Sequence, residues 1–536
     1  MDVFKKQKVR LAVVPGLFLA SFAVAWWVDS TMVRSLWPAV VAVSSILVLR
    51  NAAFGLGCGL VAGAIVITGG DVVAAPRVLL ADHVFPALQG PWRVGALVFT
   101  LLLGAFAGLL EHSGGFATLM HRLMSGSRDA GRRVLGGTYV VGLLCFFDGL
   151  ASSLLAGRIA RPLADRAGVS RERLAWVVDS TASPVACVAF ISTWIATQLS
   201  LIDQGLQGAG FAADPYTMFF KSVPANAYCL LTLLLVPLAI WTGYQPRAMR
   251  RFQPVAPEDE SDSTTVLPPL RVLWVPLAAL AIGIVVGFPL MTADAVDVLT
   301  AAGWRASFSG SGGPYALVFG SICGLLAAWW MLPRARRSGA AAAAANGAGA
   351  LLPALMVLVL AWALGGQFKA LGAADAIADL LGRGVSPAWM PLAVFAVGSL
   401  MSFATGTSWG TMGLLMPLAL PATLLAAANA GWGPGETHAV AAMVIGAVFG
   451  GATLGDHCSP FSDTTIVSAL ASGCGTMDHV RSQLPCVAIV ASFAVAAYAL
   501  MAAGAPPWSA TAAMAACMAA WVLWKSRARN SVDRRA

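Results

Sequence analysis

Residues 439–470 read AVAAMVIGAVFGGATLGDHCSPFSDTTIVSAL. This apolar run is long enough to cross a bilayer, but GDHCSPFSD at 455–463 interrupts it. Proline removes a backbone donor, and a charged side chain near the bilayer centre costs about 2.5–3.5 kcal/mol even on the lenient insertion scale. Irregular polar backbone is tolerated at that depth only when it is buried in protein or lines a water-filled cavity. The stretch therefore predicts a broken crossing whose interruption faces the protein interior.

The rest of the chain fits that reading. Of its 536 residues, 58% are hydrophobic and only 11% charged, and the mean hydropathy is +0.77, which is the profile of a membrane protein. Such a chain has room for roughly a dozen stretches of about 20 residues, each able to span a hydrocarbon core of about 30 Å. The net charge of +9 sits in short Lys/Arg clusters between apolar stretches, so it reads as membrane orientation and not as a nucleic-acid surface. The nine cysteines are scattered singly, with neither zinc-site spacing nor a disulfide framework. MDVFKKQKVR followed by LAVVPGLFLASFAVAWWV reads as an uncleaved first span.

Charge sets the topology. With a cytoplasmic N-terminus, spans at 11–28, 36–49 and 52–68 leave 69–93 outside, and the span at 94–111 returns to His121, Arg122, Arg128, Arg132 and Arg133. Residues 134–157 lie between that cluster and another, Arg158 to Arg173. About two dozen residues cannot make two crossings, so a re-entrant hairpin broken at Asp148 and Gly149 is expected. Residues 174–199 then cross outward with a break near Ser183 and Pro184, and 225–243 cross back. After the polar linker come spans at 272–290, 314–332 and 350–366, a hairpin over 387–428 interrupted by TGTSWG (405–410), the broken crossing 439–470, and spans at 483–503 and 509–524.

The expected fold is an all-α integral membrane protein with about 12 transmembrane helices plus two re-entrant hairpins in an inverted-topology repeat with broken helices. Its parts are an N-terminal tail and first span (1–35), a first repeat (36–243), a cytoplasmic linker (244–271), a second repeat (272–503) containing an Arg/Ala-rich linker (333–349), and a last span with a basic tail (504–536). Both termini fall on the cytoplasmic side of a bacterial inner membrane. The alternative is a set of ordinary helices with a few packed polar residues, but four interruptions at corresponding places favour the repeat. The sequence leaves the oligomeric state open, a homodimer included.

Four carboxylates lie at the expected breaks: Asp148, Asp179, Asp456 and Asp463. Thr181, Ser183, Thr405, Thr407, Ser408, Ser459, Ser462, Thr464 and Thr465 accompany them. Carboxylate and hydroxyl oxygens are hard ligands suited to a small alkali cation. Burial favours the protonated carboxyl and a bound cation the ionised one, so proton and cation compete for the same group. Asp456, Asp463 and Asp148 are the expected ligands of such a cation. His479 reads as a solvated or capping residue of an inner loop, and Glu111 and His112 as interfacial groups outside the site. No Ser, His and Asp set forms a recognisable nucleophile motif, so no enzymatic activity is expected.

GDHCSPFSDTTIVSAL (455–470) with DHVRSQLP (478–485) closely resembles the signature region of the NhaC-type sodium/proton antiporters of the ion transporter superfamily. RPLADRAGVSRERLAWVVDSTASPV (161–185) and SFATGTSWGTMGLLMPLALP (402–421) resemble two further blocks of that family in the same order. The resemblance covers about residues 94–503 and implies Na+/H+ exchange without a cofactor; some relatives exchange small organic acids such as malate and lactate. The family's first-hairpin motif has two consecutive Asp residues followed by Tyr, whereas this chain reads FFDGLASSLLAG, with Gly149 and Leu150 in the second and third places.

Overall fold

The computed structural model describes residues 2–124, 129–256, 267–292, 300, 303–304, 307, 312–381 and 386–533, and every regular element among them is helical. The first half contains α1 (Asp2–Trp27), α2 (Thr31–Leu49), α3 (Ala52–Ile67), α4 (Pro91–Ser113), α5 (Gly115–Met124), α6 (Ala130–Leu144), α7 (Gly149–Arg166), α8 (Arg171–Ser180), α9 (Ser183–Val188), α10 (Thr193–Gly208), α11 (Pro215–Ser222) and α12 (Ala227–Thr242). The second contains α13 (Arg271–Met291), α14 (Gly313–Met331), α15 (Ala340–Gly349), α16 (Leu352–Ala370), α17 (Ala373–Leu381), α18 (Met390–Thr405), α19 (Ser408–Asn429), α20 (Pro434–Cys458), α21 (Asp463–Ser472), α22 (Thr476–Ala502) and α23 (Pro507–Asp533). Among the described residues, nine helices are long and apolar enough to cross a membrane. Two bent pairs, 171–188 with 193–208 at 44° and 215–225 with 227–242 at 52°, bring the number to eleven against the expected twelve.

The first hairpin is α6 and α7. Its arms of 15 and 18 residues are about 22 and 27 Å long, short of a 30 Å core. The second is α18 and α19. Here length gives a different answer from the one expected, since 387–405 and 408–429 are each long enough to cross alone. What makes the two hairpins alike is where their tips go. At the first tip, Thr193 at the start of α10 donates its backbone N–H to the Phe147 carbonyl at 2.8 Å and its hydroxyl to Asp148 at 2.9 Å. At the second, Gly406 (φ +70°) lies so close to Phe461 that a Cβ there would sit 2.8 Å from it. Each tip therefore meets a break in its own half of the chain, the α9–α10 break at 189–192 and the α20–α21 break at 459–462. In both breaks a serine restarts the helix: Ser192 accepts from the Ile195 N–H and Ser462 from the Thr465 N–H.

Two readings change. The Arg/Ala-rich stretch taken as a linker contains α15, since alanine is the strongest helix former. This helix lies backbone against backbone on α4, with Gly108 on Ala343 and Gly347 on Gly104, the close approach that small residues allow in lipid. The crossing expected to end at 199 continues in α10 to Gly208, and most of that helix is buried.

Candidate functional site

The break in α20–α21 lies against the α8–α9 break in the protein interior. Asp456, in the last turn of α20, is fully buried. Its carboxylate accepts from Ser462 (2.7 Å), Ser183 (3.0 Å) and Thr464 (3.2 Å). Three hydroxyls thus surround one carboxylate, one from the first repeat and two from the second. Each hydroxyl carries one proton and two lone pairs. Ser183 and Ser462 also lie 3.4 and 3.0 Å from the Thr464 oxygen, so their protons can turn away from Asp456.

Asp179, near the end of α8, is buried to the same degree but held by different donors. It accepts from Gln483 (3.0 Å), His479 (3.1 Å), Thr465 (3.2 Å) and Ser468 (3.3 Å). His479 and Gln483 stand one helical turn apart on α22 and reach it together. The Thr465 hydroxyl also lies 3.0 Å from the Asp456 backbone carbonyl, linking the two carboxylates through one side chain. The solvated position expected for His479 is corrected: its side chain is fully buried and paired with a carboxylate, because α22 begins at Thr476 and carries the imidazole inward. His457 bridges the repeats as well, with Ser180 at 3.1 Å and Tyr228 at 2.7 Å.

Asp148 sits at the first hairpin tip, where its carboxylate caps α7 through the Ala151 N–H at 2.7 Å. It lines a cavity of about 600 Å³ shared with Glu111, His112, Arg336 and Asn346. Glu111 and His112, read as interfacial, thus face the same space as Asp148. Asp463 begins α21 and accepts from the Thr464 N–H at 2.8 Å; it is exposed yet within electrostatic reach of Asp148, Asp179 and Asp456. No group of three His, Cys, Asp or Glu side chains among the described residues is close enough to hold a metal. Asp456, Asp463 and Asp148 stand on three separate helix ends, at the close of α20, the start of α21 and the cap of α7.

Four of the remaining five predicted hydroxyls bond to the backbone. Thr181 and Thr405 bond to carbonyls one turn back. Thr407 caps α19, the position that Asp148 occupies in the first hairpin. Ser459 accepts from the Phe461 N–H, and Ser408 is buried at the start of α19. Sequence reasoning missed Gln483, Tyr228, Ser468 and Thr193; the four-residue spacing of His479 and Gln483 was the one available signal. It also missed Arg50, which caps α2 at φ +53°, the one non-glycine residue with positive φ among those described. Its guanidinium lies 3.8 Å from the Phe461 ring centroid.

A model of the Na+/H+ antiporter family matches residues 185–505, a stretch holding Asp456 and Asp463 but beginning after Asp148 and Asp179. A protein of Haemophilus influenzae without an assigned function is 28% identical over 86% of this chain and 89% of its own. The malate-2H(+)/Na(+)-lactate antiporter of Bacillus subtilis is 34% identical over 25% of this chain and 26% of its own. The YdaH transporter of Alcanivorax borkumensis shares the fold, with a TM-score of 0.52 and 17% identity over 82% of this chain and 90% of that one. Broken crossings, an interior network built from both repeats and a family match across more than half of the chain lead to one conclusion: this multi-pass membrane protein belongs to the Na+/H+ antiporter family.

Proposed function

We propose that the chain exchanges Na+ for H+ across the bacterial inner membrane by alternating access, with both termini cytoplasmic. The observation that carries this reading is Asp456, a buried carboxylate surrounded by hydroxyls of Ser183, Ser462 and Thr464. Hydroxyls adapt to either cargo. They donate to the carboxylate or, rotated, present lone pairs to a cation, so with the two carboxylate oxygens they form a hard-ligand set suited to Na+. Around Asp179 two of the four partners are nitrogen donors, His479 and Gln483, so its set is poorer in the hydroxyl oxygens that suit a hard cation. Asp456 is accordingly the principal ion site, and Asp179 holds the two repeats in register beside it.

Asp463 and Asp148 take the entry positions, one exposed and one at the cavity. Thr465 connects Asp179 to the Asp456 backbone, while Thr181, Ser459, Thr405, Thr407 and Ser408 shape the breaks and the second hairpin tip. Exchange follows if only the Na+-loaded or H+-loaded carrier passes between inward and outward openings. The test is Asp456→Asn in sealed liposomes: the amide keeps the size but cannot carry the charge, so Na+-driven pH change is lost while the protein remains inserted.

One observation favours a second reading. A cavity of about 600 Å³ at Asp148 is the size of an organic solute's site, far more than a bare cation needs. A small organic acid exchanged with H+ or Na+ on the same scaffold would use it, with Arg336 facing the carboxylate. Counterflow of labelled malate or lactate separates the two readings.

A further inference from the structure

A second groove lies apart from the carboxylate network. α5 and the C-terminal half of α7 enclose about 520 Å³. Arg158, Arg166 and His121, all exposed, stand around it, and Ile159, Pro162 and Leu163 form an apolar floor. No carboxylate among the described residues lines it. Neither exchange of a small cation nor the Asp456 network uses these groups.

Helix geometry gives the groove a depth. Arg158 is ten residues beyond Asp148, about 15 Å along the helix, which is half of a 30 Å hydrocarbon core. With the hairpin tip at mid-membrane, Arg158 emerges where the acyl region ends, and Arg166 lies about 12 Å further, in the headgroup layer. Cations above an apolar floor at that level complement a molecule whose phosphate is anionic and whose body is hydrocarbon. Since the surrounding loops carry the positive excess of a cytoplasmic face, this is the leaflet where anionic lipid attracts basic segments.

We infer that the α5–α7 groove binds the phosphate headgroup of an anionic phospholipid, with Arg158 and Arg166 as its ligands and the floor taking the start of an acyl chain. The inference uses the membrane orientation proposed above but not the identity of the transported ion. Because α7 starts at Asp148, a lipid seated on its far end steadies the arm that carries that carboxylate.

The test measures lipid and needs no transport. Full-length protein purified in neutral detergent is titrated with phosphatidylglycerol or phosphatidylcholine, and bound lipid is counted by native mass spectrometry. Wild type is expected to retain phosphatidylglycerol in preference to phosphatidylcholine. Arg158→Gln with Arg166→Gln should bind it roughly thirty-fold more weakly, a factor of about five for each charge. Arg334→Gln, a cytoplasmic arginine outside the groove, should change nothing. Both groove positions are exposed, so folding is not at stake, and Arg166→Gln alone gives an intermediate value.

Equal loss in Arg334→Gln would reduce the effect to diffuse charge and overturn the assignment, as would equal retention of both lipids by wild type. Full displacement of the lipid by millimolar inorganic phosphate would show a soluble-anion site instead. The acidic run Glu258, Asp259 and Glu260 lies shortly before Leu267, another residue of the groove wall. If neutralising that run in the groove double variant restored normal phosphatidylglycerol binding, the arginines would be serving the chain itself and the proposal would fall.

Discussion

The chemistry proposed for this chain turns on what surrounds each carboxylate. Asp456 and Asp179 are equally buried, yet one meets hydroxyls and the other a histidine, an amide and two hydroxyls. Asp456→Asn is expected to lower Na+-driven exchange at least about a hundredfold, about 2.7 kcal/mol, with normal membrane insertion by fractionation. Ser183→Ala removes one hydroxyl, worth about 1 kcal/mol, and should raise the apparent Na+ Km about five-fold with little change in maximal rate. His479→Gln should act differently, lowering thermal stability while leaving Na+ affinity nearly unchanged, because it weakens the grip on Asp179 and not the Asp456 cage. An Na+ affinity change in His479→Gln as large as in Ser183→Ala would move the ion to Asp179. The four carboxylates were legible from one sequence because acids inside apolar runs are conspicuous. The hydroxyls around Asp456 were legible for the same reason, but the nitrogen partners of Asp179 were not: His479 and Gln483 reach it across about 300 residues of chain, a pairing that only tertiary packing makes.

At the level of elements, hydropathy and charge placed most helices within a few residues: 225–243 against Ala227–Thr242 and 314–332 against Gly313–Met331. Those spans end where polar residues begin, so composition marks their limits. The reading failed where burial comes from protein and not from lipid. α10 carries Ser200 and Gln204 inside the fold, beyond the expected end of the crossing at 199, and α15 is bland in composition but packs through glycines. The second hairpin tip supplies an element-scale test. Arg50 holds a left-handed backbone conformation that costs about 1–3 kcal/mol in a non-glycine residue, while its guanidinium contacts Phe461 in a contact worth about 0.5–2 kcal/mol. Arg50→Gly relieves the backbone and removes the contact. Thermal stability should therefore stay level or rise while the exchange rate falls. A rate equal to wild type would show that the contact does not steady the break.

At the scale of the whole molecule, two repeats meet at their interruptions, and each repeat supplies ligands to the other's carboxylate: Ser183 to Asp456, and Thr465 with Ser468 to Asp179. Rocking one repeat against the other would necessarily remake these bonds, which gives the cargo control over the motion. The departure at Gly149 belongs to this scale too. A Cβ there would meet only ordinary contacts at 3.7 Å or more, so Gly149→Asp should fold, adding a carboxylate beside the cavity and changing the number of charges moved per cycle, read as a shift in the voltage dependence of exchange. The central claim, that Na+ and H+ share one set of oxygens, is tested most directly by the pH dependence of the apparent Na+ Km in sealed liposomes carrying the purified protein and an imposed pH gradient. Shared carboxylates predict that Na+ collapses the gradient, that K+ or choline does so far less, and that the Na+ Km rises toward tenfold per unit as the pH falls. A Na+ Km that stays flat across that range, or a gradient that yields to an organic acid and not to Na+ at any pH, would contradict it.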